Sequence, residues 1–309
     1  MSNLSDFFGS SGGGGSEIND NKVINSGASL ITTESGEKWL QSGTLSTATS
    51  TYPDATDSLT AMTLGSVAHS TSSQITNPRG LLWDGSYFWA VATNSPRGIY
   101  KYNANGTYAN VYIALSNVNL NVYDLTTDGT NIYVVSQSSS NGNDETVTQH
   151  TMAGVATGTS FELATGTGFY TRGIAYFDNH FYIIQQDSGG TNIQSILKYT
   201  MAGVYVSTLA SGLNQTQSPW AFMYHEGEFL LAENNGRVYV YTSAGAYTGK
   251  TFNLQSGLDN LKGLTYDGTK FWGLSSSTNS FKDIIPTRSL GIPTKRTEYN
   301  GGVVYTRIL

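Results

Sequence analysis

The chain has 309 residues and a net charge of −6, and only 12% of its residues are charged, about half the usual share for a soluble domain. Its 16 Lys and Arg are spread thinly, which excludes the basic patch that nucleic-acid binding needs, and no apolar run reaches the length of a membrane-spanning helix. The absence of cysteine excludes disulfides, thiolate chemistry and Cys-ligated metals.

Residues 1–20, "MSNLSDFFGSSGGGGSEIND", place an apolar patch of Leu4, Phe7 and Phe8 ahead of a glycine-rich run. Such a run cannot fold on its own surface burial. The segment therefore reads as an extended N-terminal anchor clamped by a partner subunit. It lacks a basic start and an apolar centre, so no secretory leader is expected, and the sequons at Asn3, Asn105 and Asn214 carry no weight. Trp39 sits in a short strand-like piece, "TYPDATD" (51–57) is turn chemistry, and "TAMTLGSVA" (60–68) reads as a strand.

From residue 77 a pattern recurs. "RGLLWDGSYFWAVA" begins at Arg79, "YDLTTDGTNIYVVS" at Tyr123, "RGIAYFDNHFYIIQ" at Arg172, "WAFMYHEGEFLLAE" at Trp220 and "KGLTYDGTKFWGLS" at Lys262, at separations of 44, 49, 48 and 42 residues. Each is two apolar runs around a turn. Four are followed by a third run ending in a tight turn (Asn105-Gly106, Ala153-Gly154, Ala202-Gly203, Ala244-Gly245) and then a short fourth one. Four antiparallel strands per repeat of this period predict an all-β fold, a β-propeller of about five blades. Packing blades radially covers the faces that one sheet leaves open. Gly80, Gly173 and Gly263 fit where inner strands converge on a narrow axis.

The fifth repeat lacks an Ala-Gly turn and a fourth strand, with "FKDIIPTRSLGIPT" in their place. Residues 60–68 are expected to close that blade, and "EYNGGVVYTRIL" (298–309) either supplies its third strand or projects to pair with another chain. The count becomes six if the N- and C-terminal segments build another sheet. The expected organisation is an N-terminal segment over 1–59, a propeller over 60–290 and a C-terminal strand over 291–309.

Acids recur near the hairpin turn: Asp84, Asp128, Asp178, Glu226 and Asp267. Turn chemistry explains them, because Asp bonds local backbone and tolerates unusual φ/ψ, and a ring would hold them too far apart for a carboxylate pair. His69, His150, His180 and His225 lack metal-ligand spacing, and no nucleophile elbow, GxGxxG or P-loop occurs. No catalytic residue, metal or cofactor is expected. The position opening each repeat is the candidate site. Inner strands start together around one mouth of a channel, so Arg79, Tyr123, Arg172, Trp220 and Lys262 would form a ring of cations and aromatics able to bind an acidic or stacked sugar. Alternatively the cations bond neighbouring carbonyls and the aromatics plug the channel.

Three stretches carry a resemblance. "MSNLSDFFGSSGGGGS" resembles the Leu-Ser-Asp and glycine-rich openings of phage tail and fibre proteins. "GEKWLQSGTLSTATSTYPDA" resembles a "WLxSG…YPDA" segment of phage structural proteins, and "VVYTRIL" is similar to the "YxRI/V" ending that accompanies it. The likeness covers about 60 residues at the two ends of the chain. It implies a tailed-bacteriophage virion structural protein, exposed on the particle and without catalytic residues. Residues 1–59 would dock to other virion proteins through Leu4, Phe7 and Phe8. The propeller would be displayed for host recognition, with a surface glycan as ligand and further copies of the chain supplying avidity. A capsid decoration or head-fibre protein, and a propeller carbohydrate-active enzyme, are the alternatives.

Overall fold

Short runs of aromatic and β-branched residues, broken by Gly, Asn and Asp, become twenty-four strands, with no helix among the described residues. The computed structural model describes residues 29–32, 38–42, 58–93, 96–115, 120–138, 145–163, 169–187, 194–213, 218–289, 297–298 and 304–307. Leu4, Phe7 and Phe8 lie outside them. Two compact units are distinguished, residues 1–59 with 288–309, and residues 60–287.

The first unit contains a small sheet in the order β1-β2-β24-β23: β1 (Ser29–Thr32), β2 (Lys38–Ser42), β23 (Thr297–Glu298) and β24 (Val304–Arg307). Trp39 lies on β2, where it pairs with Arg307.

The second unit is a five-bladed β-propeller. β3 (Ser58–Ser70) precedes the repeats. Blade 1 comprises β4 (Pro78–Trp83), β5 (Tyr87–Ala92), β6 (Gly98–Asn103) and β7 (Tyr108–Ala114). Blade 2 comprises β8 (Leu120–Thr127), β9 (Asn131–Ser138), β10 (Glu145–Thr151) and β11 (Ala156–Glu162). Blade 3 comprises β12 (Phe169–Phe177), β13 (His180–Asp187), β14 (Gln194–Thr200) and β15 (Tyr205–Ser211). Blade 4 comprises β16 (Pro219–His225), β17 (Glu228–Glu233), β18 (Arg237–Thr242) and β19 (Tyr247–Asn253). Blade 5 comprises β20 (Leu261–Tyr266), β21 (Phe271–Ser275), β22 (Ser280–Ser289) and then β3 as its outer strand. The N-terminal strand thus closes the ring, as its sequence predicts.

The tail does not supply the third strand of blade 5, contrary to one expectation. Residues 280–289 do so, because Phe281 and Ile284 pair with Leu274 and Phe271 and are fully buried. The turn that brings them back ends at Asn279, whose φ of +47° performs the task that Gly236, at +79°, performs in blade 4. Asp283 fastens the closing strand. Its carboxylate accepts the Val67 N–H at 2.9 Å and the Lys270 ammonium at 2.9 Å, in space that only a glycine at position 65 leaves open.

The core is distributed over the seams between blades. Leu81, Phe88, Tyr100 and Tyr102 of blade 1 pack with Trp272, Leu274 and Phe281 of blade 5. Equivalent clusters join blades 1 and 2, 2 and 3, and 3 and 4. Each buried Phe contributes about 1.5–3 kcal/mol of transfer free energy. Middle strands, covered on both faces, read as continuous apolar runs, whereas the outer strand β11 is almost wholly exposed.

The recurrent acids divide into two kinds of turn. Asp84 accepts the N–H of Ser86 (2.8 Å) and Tyr87 (2.7 Å) on Oδ1 and the indole N–H of Trp89 (2.6 Å) on Oδ2. Asp128 does the same with Thr130, Asn131 and the Tyr133 hydroxyl, and Asp267 with Thr269, Lys270 and the Trp272 indole. Asp178-Asn179 and Glu226-Gly227 are instead two-residue hairpin turns with positive φ at both positions (49° and 55°, 47° and 86°). Replacing Asp84 or Asp267 by alanine strands the donor of a buried tryptophan and is expected to destabilise the propeller by about 1–3 kcal/mol. Asp178→Gly, which relieves a positive φ, is expected to leave the urea-unfolding midpoint unchanged or raise it; equal losses at all three positions would contradict this division.

Candidate functional site

On every inner strand the pairing with its neighbour slips by one residue at the column that opens the repeat. Val122 and Asp124 pair with Ser136 and Val135, Thr171 and Gly173 with Gln185 and Ile184, Pro219 and Ala221 with Glu233 and Ala232, and Leu261 and Gly263 with Ser275 and Leu274. Tyr123, Arg172, Trp220 and Lys262 are the extra residues left between. In blade 1 the extra residue is Gly80, at φ +50°, directly after Arg79. A bulge takes a side chain out of the alternation between sheet faces and re-aims it. The distortion recurs in all five repeats; in four it re-aims the side chain of the cluster, and in blade 1 it falls on Gly80, beside Arg79.

The five side chains meet. The guanidinium carbons of Arg79 and Arg172 each lie 4.5 Å from the centre of the Trp220 ring and 5.0 Å from that of Tyr123. The ammonium of Lys262 lies 3.2 Å from the Trp220 ring centre, and the Tyr123 and Trp220 rings are 5.9 Å apart. Tyr170 adds a further face to Arg172 at 5.1 Å. Trp220 is held by its indole N–H, which donates to Ser218 Oγ at 2.9 Å. All five expected residues are therefore in one cluster. The two aromatic rings face the three cations. The cations do not all turn to carbonyls, since Nε and Nη1 of Arg79 are buried without a hydrogen-bond partner, and Arg172 Nε donates to Gln186 Oε1 at 3.1 Å.

Three cations lie this close, and the carboxylate that acts on them, Glu145, favours the charged form of Arg172 from its hydrogen bonds to Thr171. Among the described residues no ion pair includes Arg79, Arg172 or Lys262. Cation–π contact offsets part of the cost, on the order of 2 kcal/mol per desolvated pair. The remainder appears as lowered proton affinity. Burial lowers the pKa of both guanidiniums, with Tyr123 opposing it. Burial, followed by repulsion from Arg79 and Arg172, lowers that of Lys262 to about 6. At neutral pH the cluster holds two guanidiniums and a largely neutral amine.

Beneath the cluster lies a residue that the sequence reading did not single out. Asp124, 2% exposed, accepts the N–H of Ile174 at 3.2 Å, and the N–H groups of Leu125 and Phe222 also bond it, so one carboxyl ties blades 2, 3 and 4 together. Burial raises its pKa well above the usual value, against the pull of those three donors. The signal was present in the repeat: Asp124 occupies the column that is Gly80, Gly173, Ala221 and Gly263 elsewhere. The glycines there are required by contact. A Cβ on Gly263 would sit 2.5 Å from Leu81 N, and one on Gly173 2.6 Å from Phe222 Cβ. At the other end of the inner strands a cavity of about 280 Å³ is lined by residues of all five, including Trp83, Thr127, Tyr176, Tyr224 and Thr265. Among the described residues no group of three His, Asp or Glu side chains is placed to hold a metal.

No protein-family model matches the chain, and no curated protein matches it. Solved structures do. The chain is similar to glutaminyl cyclase of Myxococcus xanthus at 10% identity and a TM-score of 0.57, over 74% of this chain and 97% of that one. It is similar to a chain of the nidogen/laminin complex at 15% identity and a TM-score of 0.46, over 66% and 74%. It is also similar to the PQQ-bound aldose sugar dehydrogenase of Streptomyces coelicolor at 13% identity and a TM-score of 0.40, over 87% and 96%. At such identities the likeness to the cyclase is one of fold, the five-bladed propeller.

The Lys262 proton gives a stability test. With a folded pKa of about 6 against an ordinary value of 10.5, the unfolded chain binds more protons between those values, so this group makes the fold more stable as pH rises through that window. Lys262→Met is expected to be more stable than the wild type at pH 6, with the advantage shrinking toward pH 10. Urea unfolding at four pH values measures it; an advantage independent of pH would mean that the amine is not desolvated.

Proposed function

We propose that the chain is a non-enzymatic structural protein of a phage particle and that its propeller is displayed to recognise a glycan on the host surface through the cation–aromatic mouth of the channel. The observation that carries the recognition reading is the convergence of five repeat-equivalent side chains, from five separate strands, on one end of the axis with buried Arg79 nitrogens left unpartnered. A purely structural plug would be served by the two aromatics alone. The sequence resemblance at the two ends of the chain supports the particle, with residues 1–59 as the docking segment and further copies on the particle giving avidity to weak single sites. The non-enzymatic reading is supported by Asp84, Asp128 and Asp267, whose carboxylates are engaged by their own backbone and aromatic donors.

The double variant Arg79→Ala/Arg172→Ala is expected to lose at least tenfold in binding to host cells and to a glycan array while keeping the wild-type circular dichroism spectrum. Immunogold labelling of purified particles is expected to mark an exposed position. Undiminished binding by the double variant would remove the channel mouth as the recognition site, and unlabelled particles would remove the virion assignment.

A further inference from the structure

The free cluster is electrostatically incomplete. Arg79, Arg172 and Lys262 come from β4, β12 and β20 and share the faces of Trp220 and Tyr123, yet among the described residues none is ion-paired. Arg79, Arg172 and Trp220 are part-buried and give the cluster an exposed face, while Lys262, 7% exposed, and Nε and Nη1 of Arg79 lie behind it. Buried cations with unsatisfied donors are stabilised most by a ligand that brings negative charge and acceptor lone pairs together. A neutral sugar would supply acceptors and leave the charge uncompensated.

We propose that the cluster is a proton-coupled site for a carboxylate, that of an acidic monosaccharide unit, and that Lys262 takes up a proton as the carboxylate enters. The sugar part rests on the recognition function proposed above; the carboxylate part rests on the geometry alone. The carboxylate oxygens accept from the Lys262 ammonium and from the unpartnered Arg79 N–H groups, toward which the part-buried Arg79 side chain must turn. An anion beside Lys262 favours its charged form, reversing the effect of the two guanidiniums. Binding and protonation then promote each other by linkage.

Other groups around Lys262 do not produce the same signature. Of the strands packed on β20, β4 carries Arg79, β21 carries no titratable group, and β16 carries His225 at the end away from Trp220. On β17, Glu233 accepts from the Ser218 N–H and the Tyr239 hydroxyl, and Glu228 pairs with Lys250. Across the axis β8 and β12 bring Tyr123, Asp124, Tyr170 and Arg172, and β10 brings Glu145, which accepts from Thr171 and favours the charged form of Arg172. Asp124 is the one further group there that burial shifts upward, and it lies on hydrogen bonds to backbone N–H groups.

The probes are glucuronate and glucose, which differ only in the carboxylate, with acetate and inorganic phosphate as sugar-free anions. Isothermal titration of the full chain is performed from pH 5.5 to 8.5, where glucuronate stays ionised. The expected result is saturable binding of glucuronate and none of glucose. Affinity should fall about tenfold per pH unit above pH 6 until the Lys262 pKa in the complex is reached. Lys262→Met should bind about tenfold more weakly at pH 5.5 and lose the pH dependence, and because it removes a buried amine without changing shape it should remain folded. Direct observation of the lysine side chain by NMR should show its titration midpoint moving upward with glucuronate. Equal binding of glucose and glucuronate overturns the carboxylate assignment while leaving glycan recognition standing. Acetate or phosphate binding as tightly as glucuronate overturns the sugar assignment. Unchanged pH dependence in Lys262→Met overturns the proton coupling. Glucuronate binding by a protein that ignores host cells and glycans would instead refute the recognition function and leave the site intact.

Discussion

The crowding of five inner strands on one axis is the constraint on which the rest of the molecule depends. Where strands approach until a single Cβ would collide with a neighbouring backbone, as at Gly263 against Leu81, the chain has room for hydrogen or for a group that pays for its volume with bonds. Asp124 is that group. Its carboxyl takes N–H donors from blades 2, 3 and 4, and so exchanges the cost of burial for a connection that no apolar side chain could make. The same crowding produces the bulges. A strand that continued its regular ladder would keep the next side chain in the alternation between blade faces; slipping by one residue takes Tyr123, Arg172, Trp220 and Lys262 out of it and into one cluster.

Much of this was legible in the repeat. The spacing of the Arg79, Tyr123, Arg172, Trp220 and Lys262 segments points to about five blades and leaves a sixth open, and the missing fourth strand in the last of them points to an N-terminal closing strand. Asp84 reads correctly as turn chemistry. What escaped is what depends on tertiary position. The turn at 276–279 has no glycine, so the third strand of blade 5 was not marked by its boundary, although Phe281 and Ile284 carry its apolar alternation. Asp178 and Glu226 were grouped with Asp84, whereas each sits one position later in its repeat and answers a different backbone geometry. Asp124 was visible as the polar exception in a small-residue column, but its role follows only when three strands from different blades are placed around it.

The site itself was legible as a column and not as a chemistry. Sequence alone leaves a ring of Arg, Tyr, Arg, Trp and Lys open to two readings, a site for an acidic or stacked sugar or cations bonded to carbonyls around aromatics that plug the channel. The decisive facts are distances and burial: Lys262 lies 3.2 Å from the Trp220 ring centre, and two nitrogens of Arg79 are enclosed without partners. Aromatic faces are suited to that setting, because they attract cations without neutralising them. A carboxylate in place of Trp220 would complete the charge internally and leave nothing for a ligand to supply.

Ring closure and site geometry are in consequence one problem. Lys262 is carried by the blade that closes the ring, and Gly263, its neighbour, abuts Leu81 of the first blade, two residues from Arg79. The distance between these two cations is therefore set at the seam between the last blade and the first. That seam is filled by Trp272, Phe281, Phe88 and Tyr102, and His69 of the closing strand stacks on Trp272 with ring centres 5.1 Å apart. Asp283 holds the same strand through Val67 and Lys270. The residues that draw this seam together thus lie on the second, third and closing strands of the two blades, while the five side chains of the cluster stand on the inner strands.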